Sequence, residues 1–316
     1  MSLEHWESYY QGGALATGPA GSGGGYDQEL RSVWQDFLAP LPNDATILDL
    51  GTGNGALALI IKEFGDAQGA RWTIHGTDLA SIDPPGQVTD GKHRFEGVIF
   101  HSEVASEDLP FDDSSFDAVG GQYALEYADS SQAVAEIARV LKPGGRAQFI
   151  MHHHRSLLAE NARQSMLQAS LVLQVTGVYD ALRRVVNPPS QSQQSVAEAT
   201  ADFRSAMRRL GRAQSEFPGG SGIIGVTLAA LRELLAMRDR YSPEELLVEI
   251  DRVESDLKFA TQRVRDLLDH ASDEAAIDAL IETARASGLD CSGRVPQYHA
   301  GDQLVGWRIR FTRGGS

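Results

Sequence analysis

The sequence predicts an α/β fold: a doubly wound, mostly parallel sheet of seven strands, with a large all-helical insertion after the fifth strand. Three observations carry this. Strand-like and helix-like segments alternate from residue 26 to about 154. The alternation then stops, and 155–284 reads as helix alone. Strand character returns between 285 and 316. Strands that alternate with helices imply parallel pairing through right-handed crossovers.

Each element follows from local pattern. Residues 27–39 put Leu30, Val33, Trp34 and Phe37 on one helix face. The first strand is 46–50, where Ile47, Leu48 and Leu50 make the near-continuous apolar run of a buried parallel strand. Gly51, Gly53 and Gly55 end it. Lacking a Cβ, they allow a tight turn and close approach of backbone to a ligand. Apolar periodicity resumes at Ala56, predicting a helix over 54–64. Strands follow at 72–77, which ends at Asp78, at 97–101 and at 116–121. A helix over 130–141 leads through the turn Lys142-Pro143-Gly144-Gly145 into the fifth strand, 146–151.

Helices are predicted near 155–184, 193–213, 223–240, 243–270 and 273–287, separated by Pro188-Pro189 and by residues 217–222. In the fourth, Leu246, Ile250, Val253, Leu257, Ala260, Val264 and Leu267 step by four and three. Such a seam suits antiparallel helix packing, either as a lid or as a homodimerisation module. At the end, 304–311 alternates as a strand, with 295–299 as its antiparallel partner. The chain thus divides into residues 1–25, a sheet domain of 26–154 with 285–316, and a helical insertion of 155–284. The first 25 residues begin aromatic (Trp6, Tyr9, Tyr10) and turn glycine-rich. They read equally as a disordered leader or as a mobile flap that closes over a ligand.

Composition narrows the function classes. The net charge of −15 over 316 residues argues against a general nucleic-acid binder. The single cysteine, Cys291, excludes an intrachain disulfide and a cysteine-rich metal site. There is neither a signal-peptide pattern nor an apolar run of about 18 residues, so a cytoplasmic protein without membrane contact is expected.

The glycine loop alone is ambiguous. Gly51, Gly53 and Ala56 also satisfy the dinucleotide pattern, and such a loop can be a turn with no ligand at all. Further features stand in order along the chain: Asp49 before the loop, Asp78 after strand two, Glu107-Asp108-Leu109-Pro110-Phe111, and the Lys-Pro-Gly-Gly turn before strand five. Jointly, over 26–154 and less sharply over 285–312, they resemble the class I S-adenosylmethionine-dependent methyltransferases. The resemblance implies a Rossmann-like methyltransferase fold and S-adenosyl-L-methionine as cofactor, with S-adenosyl-L-homocysteine as product. By position, Gly51, Thr52, Gly53 and Gly55 would pass under the methionine part, with Asp49 near its amino group. Asp78 would hold the ribose, Leu79 would flank the adenine, and Gln122 would lie against the cofactor. The chain departs from the family pattern at Ala105, where relatives carry Asp or Asn. At the adenine end the expected substitute is Ser106, Glu103 or backbone, and Glu107 joins the expected cofactor-binding set.

In open α/β sheets substrates sit beyond the carboxyl ends of the strands. That places Gln122, Tyr123, Glu126 and Tyr127 after strand four, and His152, His153 and His154 after strand five, near the acceptor, with Tyr127, His152 and His153 as the candidate catalytic groups and a histidine as general base. Three consecutive histidines alternate in direction on an extended chain, so no metal site is expected from them. The expected activity is methyl transfer to a small molecule, at oxygen or nitrogen in preference to carbon. Two other readings stay open: an interaction protein that uses the helical insert, and methylation of a protein or RNA partner.

Overall fold

The computed structural model describes residues 3–16, 26–217, 222–238 and 240–315. The chain forms two compact units: residues 1–160 with 266–316, and residues 161–265.

The first unit opens with α1 (Glu4–Gln11) and α2 (Gln28–Leu38), then β1 (Thr46–Leu50), α3 (Ala56–Gln68) and β2 (Thr73–Thr77). The short helices α4 (Pro84–Gln87) and α5 (Gly91–Arg94) precede β3 (Val98–His101). Next come β4 (Phe116–Gln122), a 3-10 turn at Leu125–Tyr127, α6 (Ser130–Val140) and β5 (Leu141–Met151). The second unit takes in most of α7 (Leu157–Ser170), a π-helical turn at Leu171–Val175, α8 (Val178–Val186), α9 (Gln193–Glu216), α10 (Ile223–Met237) and most of α11 (Pro243–His270). The chain then rejoins the first unit as α12 (Glu274–Ala286), β6 (Leu289–His299) and β7 (Gln303–Arg313).

The sheet runs β3-β2-β1-β4-β5-β7-β6. Strands β1 to β5 pair in parallel, and β7 is antiparallel to both of its neighbours. The strand order reverses between β1 and β4, which puts a crevice at their carboxyl ends. Because side chains alternate along a strand, β1 serves two cores. Ile47 packs with Trp34, Leu57 and Ile61 on the α2–α3 face, while Leu48 and Leu50 pack with Val134, Ile137 and Ile277 on the α6–α12 face.

Three expectations need correction. The stretch before residue 26 contains a regular helix, α1, while residues 1–2 and 17–25 of the predicted leader lie outside the described residues. The helix expected over 155–184 is broken, because Gly177 adopts a left-handed conformation (φ 60°) that starts α8 afresh. The Lys-Pro-Gly-Gly turn is a bulge inside β5. Leu141 pairs with Phe116 and Arg146 with Ala118, so 142–145 loop out between two paired positions. In the second unit, Val172, Leu182, Phe203, Leu210, Leu228, Leu231 and Ile250 form a separate core. No helix among the described residues is long and apolar enough to cross a membrane.

Candidate active site

The carboxyl ends of β1, β2, β4 and β5 gather the predicted residues. Gly51, Gly53 and Gly55 all have positive φ, at 64°, 50° and 83°. A Cβ on Gly51 would lie 2.3 Å from the Cβ of Ala124, so the loop also depends on glycine for space.

Two carboxylates shape this loop. Asp49 accepts from the Thr52 hydroxyl at 2.6 Å and from the Ala58 N–H of α3 at 2.9 Å, both at Oδ2. Asp78 accepts from Gly53 N–H at 2.8 Å and from Ala80 N–H at 2.9 Å. Burial pushes the Asp49 carboxyl up to about 7, against the lowering effect of its hydrogen bonds. Burial likewise raises Asp78 to about 6. Leu79, next along, is 52% exposed, an apolar surface beside a carboxylate at the mouth of the crevice.

The donor set fits S-adenosylmethionine. Asp78 can accept from a ribose diol, and Leu79 can lie against a purine. The buried Oδ1 of Asn54 and the buried Nε2 of Gln122 have no hydrogen-bond partner among the described residues. They are an acceptor and a donor left for the polar amino-acid end of a ligand. The other ends of both side chains are fixed. Asn54 Nδ2 donates to the carbonyls of Tyr10 and Ala14, and Gln122 Oε1 accepts from Trp34 Nε1 at 2.6 Å.

Not every expected ligand group is free for that role. The Thr52 hydroxyl is turned inward to Asp49. Glu107 accepts from the Asp129 N–H at 2.7 Å, at the start of α6, so its carboxylate holds a helix start. Ser106 is half-buried.

The catalytic candidates separate. His152 stacks on Tyr123 with ring centroids 4.2 Å apart, and Tyr127 meets its ring edge-on at 6.1 Å. His153 turns to the other side of the strand. It stacks on Trp307 at 4.8 Å, and its Nδ1 accepts from Arg155 N–H at 2.9 Å. The structure therefore brings His152 and Tyr127 together and places the His153 ring apart from them, against Trp307. Tyr123, which supports His152, has φ 56°, an unusual conformation for a bulky residue and a mark of local strain.

Glu126 is expected near the acceptor from its place after strand four, but it is absent from the predicted catalytic groups. Its Oε1 accepts from the His152 N–H at 2.6 Å, while its buried Oε2 has no hydrogen-bond partner among the described residues. Burial raises this carboxyl to about 7 and lowers the His152 imidazole to about 3. Its sequence signal is weak, an acid between Leu125 and Tyr127, and its contact is made across β4 and β5. No group of three His, Cys, Asp or Glu side chains among the described residues is placed to hold a metal.

Comparison with known proteins agrees with this geometry. Residues 48–149 match the family described as "Methyltransferase domain". The chain is 33% identical over 111 residues to an uncharacterised methyltransferase of Mycobacterium tuberculosis, covering 35% of this chain and 41% of that protein. It is 33% identical over 129 residues to a ubiquinone/menaquinone biosynthesis C-methyltransferase of Geotalea daltonii, covering 39% and 51%. It is 40% identical over 102 residues to a demethylmenaquinone methyltransferase of Thermus thermophilus, covering 32% and 44%. The chain thus spans about half the length, or less, of these relatives. The matched region is a class I S-adenosylmethionine-dependent methyltransferase domain, and S-adenosylmethionine is the cofactor of that class.

Proposed function

We propose that the protein transfers a methyl group from S-adenosylmethionine to a small-molecule acceptor, with Glu126 taking the acceptor's proton. The observation that carries the reading is the loop of three positive-φ glycines braced by Asp49 and Asp78. When bound, S-adenosylmethionine supplies an electrophilic methyl group. The chain's part is to align the acceptor, exclude water and hold a proton. Asp78, Asn54 and Gln122 bind and orient the donor. Tyr127 and the His152 ring line the acceptor side. Glu126 would receive the acceptor's proton on Oε2, and the freed electron pair would form the bond to the methyl carbon as the sulfur–methyl bond breaks and its electrons stay on the sulfur, which becomes neutral.

Glu126 suits this role better than a histidine. A base works best with a pKa near the working pH. Glu126 stands at about 7, whereas the buried His152 ring at about 3 holds a proton poorly. The acceptor's class rests on the named relatives, two of which are named as quinone methyltransferases. The naming of the Geotalea daltonii relative as a C-methyltransferase gives no support to an oxygen or nitrogen acceptor over carbon.

Isothermal titration with S-adenosylmethionine and S-adenosylhomocysteine tests the reading. The wild-type protein should bind both. Asp78→Ala should lose roughly 10- to 100-fold in affinity, the worth of a hydrogen bond to a charged group. Absence of heat with either ligand would sink the proposal, and unchanged affinity in Asp78→Ala would remove the ribose role.

A further inference from the structure

Helix α1 carries aromatic residues that the chemistry above leaves unused. The Tyr10 ring lies on the glycine loop, since a Cβ on Gly53 would come within 2.8 Å of its Cε1. Asn54 ties the same segment down through the carbonyls of Tyr10 and Ala14, each at 2.8 Å. At the other end of the helix, His5 meets Asp266 at 2.7 Å. Trp6 stacks on Tyr10 at 6.1 Å and meets Tyr127 edge-on at 5.9 Å. The Tyr10 phenol is raised well above its ordinary value, by burial first and then by the neighbouring Asp78 and Tyr127.

Tyr10 therefore sits where three things meet: the loop of Gly53, the carboxylate of Asp78, and the aromatic wall that reaches the acceptor side. In the methyl donor, a sulfonium centre joins the ribose end to the amino-acid end. Asp78 is the seat for the first and the glycine loop for the second. Tyr10 is the ring that borders both seats.

We infer that Tyr10, backed by Trp6, reads the positive charge of the donor. Its ring favours the sulfonium form over the neutral, demethylated product. The inference rests on the methyl-donor reading above. The face of an aromatic ring attracts a cation, and the effect is worth about 2- to 30-fold in affinity. The ring raises affinity for the donor alone, and that advantage ends when the methyl group leaves and the sulfur becomes neutral. Product is then displaced by fresh donor.

The test is calorimetric and needs no acceptor. S-adenosylmethionine and S-adenosylhomocysteine are titrated into the full chain as wild type, Tyr10→Phe and Tyr10→Leu. The quantity read is the ratio of product Kd to donor Kd. Tyr10→Phe keeps the ring and should hold this ratio within about twofold of wild type. Tyr10→Leu should lower it by about 3- to 30-fold, through lost donor affinity. Should the Leu variant melt early, Tyr10→Met carries the same comparison. A ratio unchanged in the ringless variant, with both affinities falling together, overturns the inference and leaves Tyr10 as a cover. A rise in donor affinity overturns it as well, because the ring then occupies the donor's place. Wild-type binding of both ligands with either result leaves the methyl-donor reading standing. Absence of binding to wild type ends both.

Discussion

Asp49 offers the sharpest test of the electrostatics of the site. Its carboxyl is 1% exposed and raised from 3.8 to about 7, chiefly by burial. Folded protein therefore binds more protons at this group than unfolded chain does between those two values. The group's contribution to stability is fully present below 3.8 and is lost as pH rises through about 7. The whole shift corresponds to about 4 kcal/mol, of which roughly 2.5 kcal/mol falls between about pH 5 and about pH 8. Asp49→Asn keeps the shape and an oxygen to accept from Thr52 and Ala58 while removing the titration. Relative to wild type, the variant should be near neutral or slightly destabilised at the acid end. It should gain up to roughly 2.5 kcal/mol by the alkaline end, or roughly 5–10 °C in melting temperature. Circular-dichroism melts of both proteins at the two pH values, at one ionic strength, measure this. An equal shift at both pH values would falsify the claim that the carboxylate is held ionised at a cost.

Two further perturbations separate the catalytic candidates. Glu126 can accept a proton only when ionised, so wild-type turnover should rise as pH climbs through about 7. Glu126→Gln should abolish that rise and lower the rate by roughly 100-fold or more; an acid limb that survives in the pH–rate profile assigns the base elsewhere. His153→Ala removes a stacking partner of Trp307 and should cost about 0.5–1.5 kcal/mol in urea unfolding. Its cofactor affinity and turnover should stay within about twofold of wild type, and a selective loss of turnover would return His153 to the chemistry.

The sheet was legible because its parallel strands are buried on both faces and so read as apolar runs. Ile47 and Leu48 illustrate it, adjacent in sequence and buried in opposite cores. The glycine loop and Asp78 were legible for a related reason, since they need backbone freedom or a fixed place at a strand end. What stayed hidden depended on contacts distant in sequence. The place of Glu126 near the acceptor was legible from strand four, but its bond to the His152 backbone, 26 residues on, was not. Glu107 fits a family position but binds the start of α6, 22 residues away. Helix α1 was partly legible, as Trp6, Tyr9 and Tyr10 stand at the i, i+3, i+4 spacing of a helix face. The glycine-rich stretch that follows left a disordered leader and a mobile flap equally open, and neither named a regular helix. In β5 the bulge at 142–145 was missed because a Pro-Gly-Gly sequence signals a turn, and only the pairing of Leu141 with Phe116 shows strand on both sides of it.

The three raised carboxyls divide the labour of the site. Asp49 and Asp78 both accept from the glycine loop and its flanking backbone, so ionisation strengthens the contacts that set the loop's shape. A cationic ligand bound on that loop would favour the ionised form of each and draw both back toward ordinary carboxylate values. Donor binding on the proposed reading would thereby offset part of the cost of burying these two carboxylates. Glu126 is built differently. One oxygen is held by the backbone of His152, while the other is buried without a partner, and the imidazole stacked nearby is held neutral. Burial raises this carboxyl to about 7, a value at which it can both take and return a proton. On the proposed reading, the carboxylates whose bonds brace the glycine loop serve cofactor recognition, and the one with a buried, unpartnered oxygen serves proton acceptance.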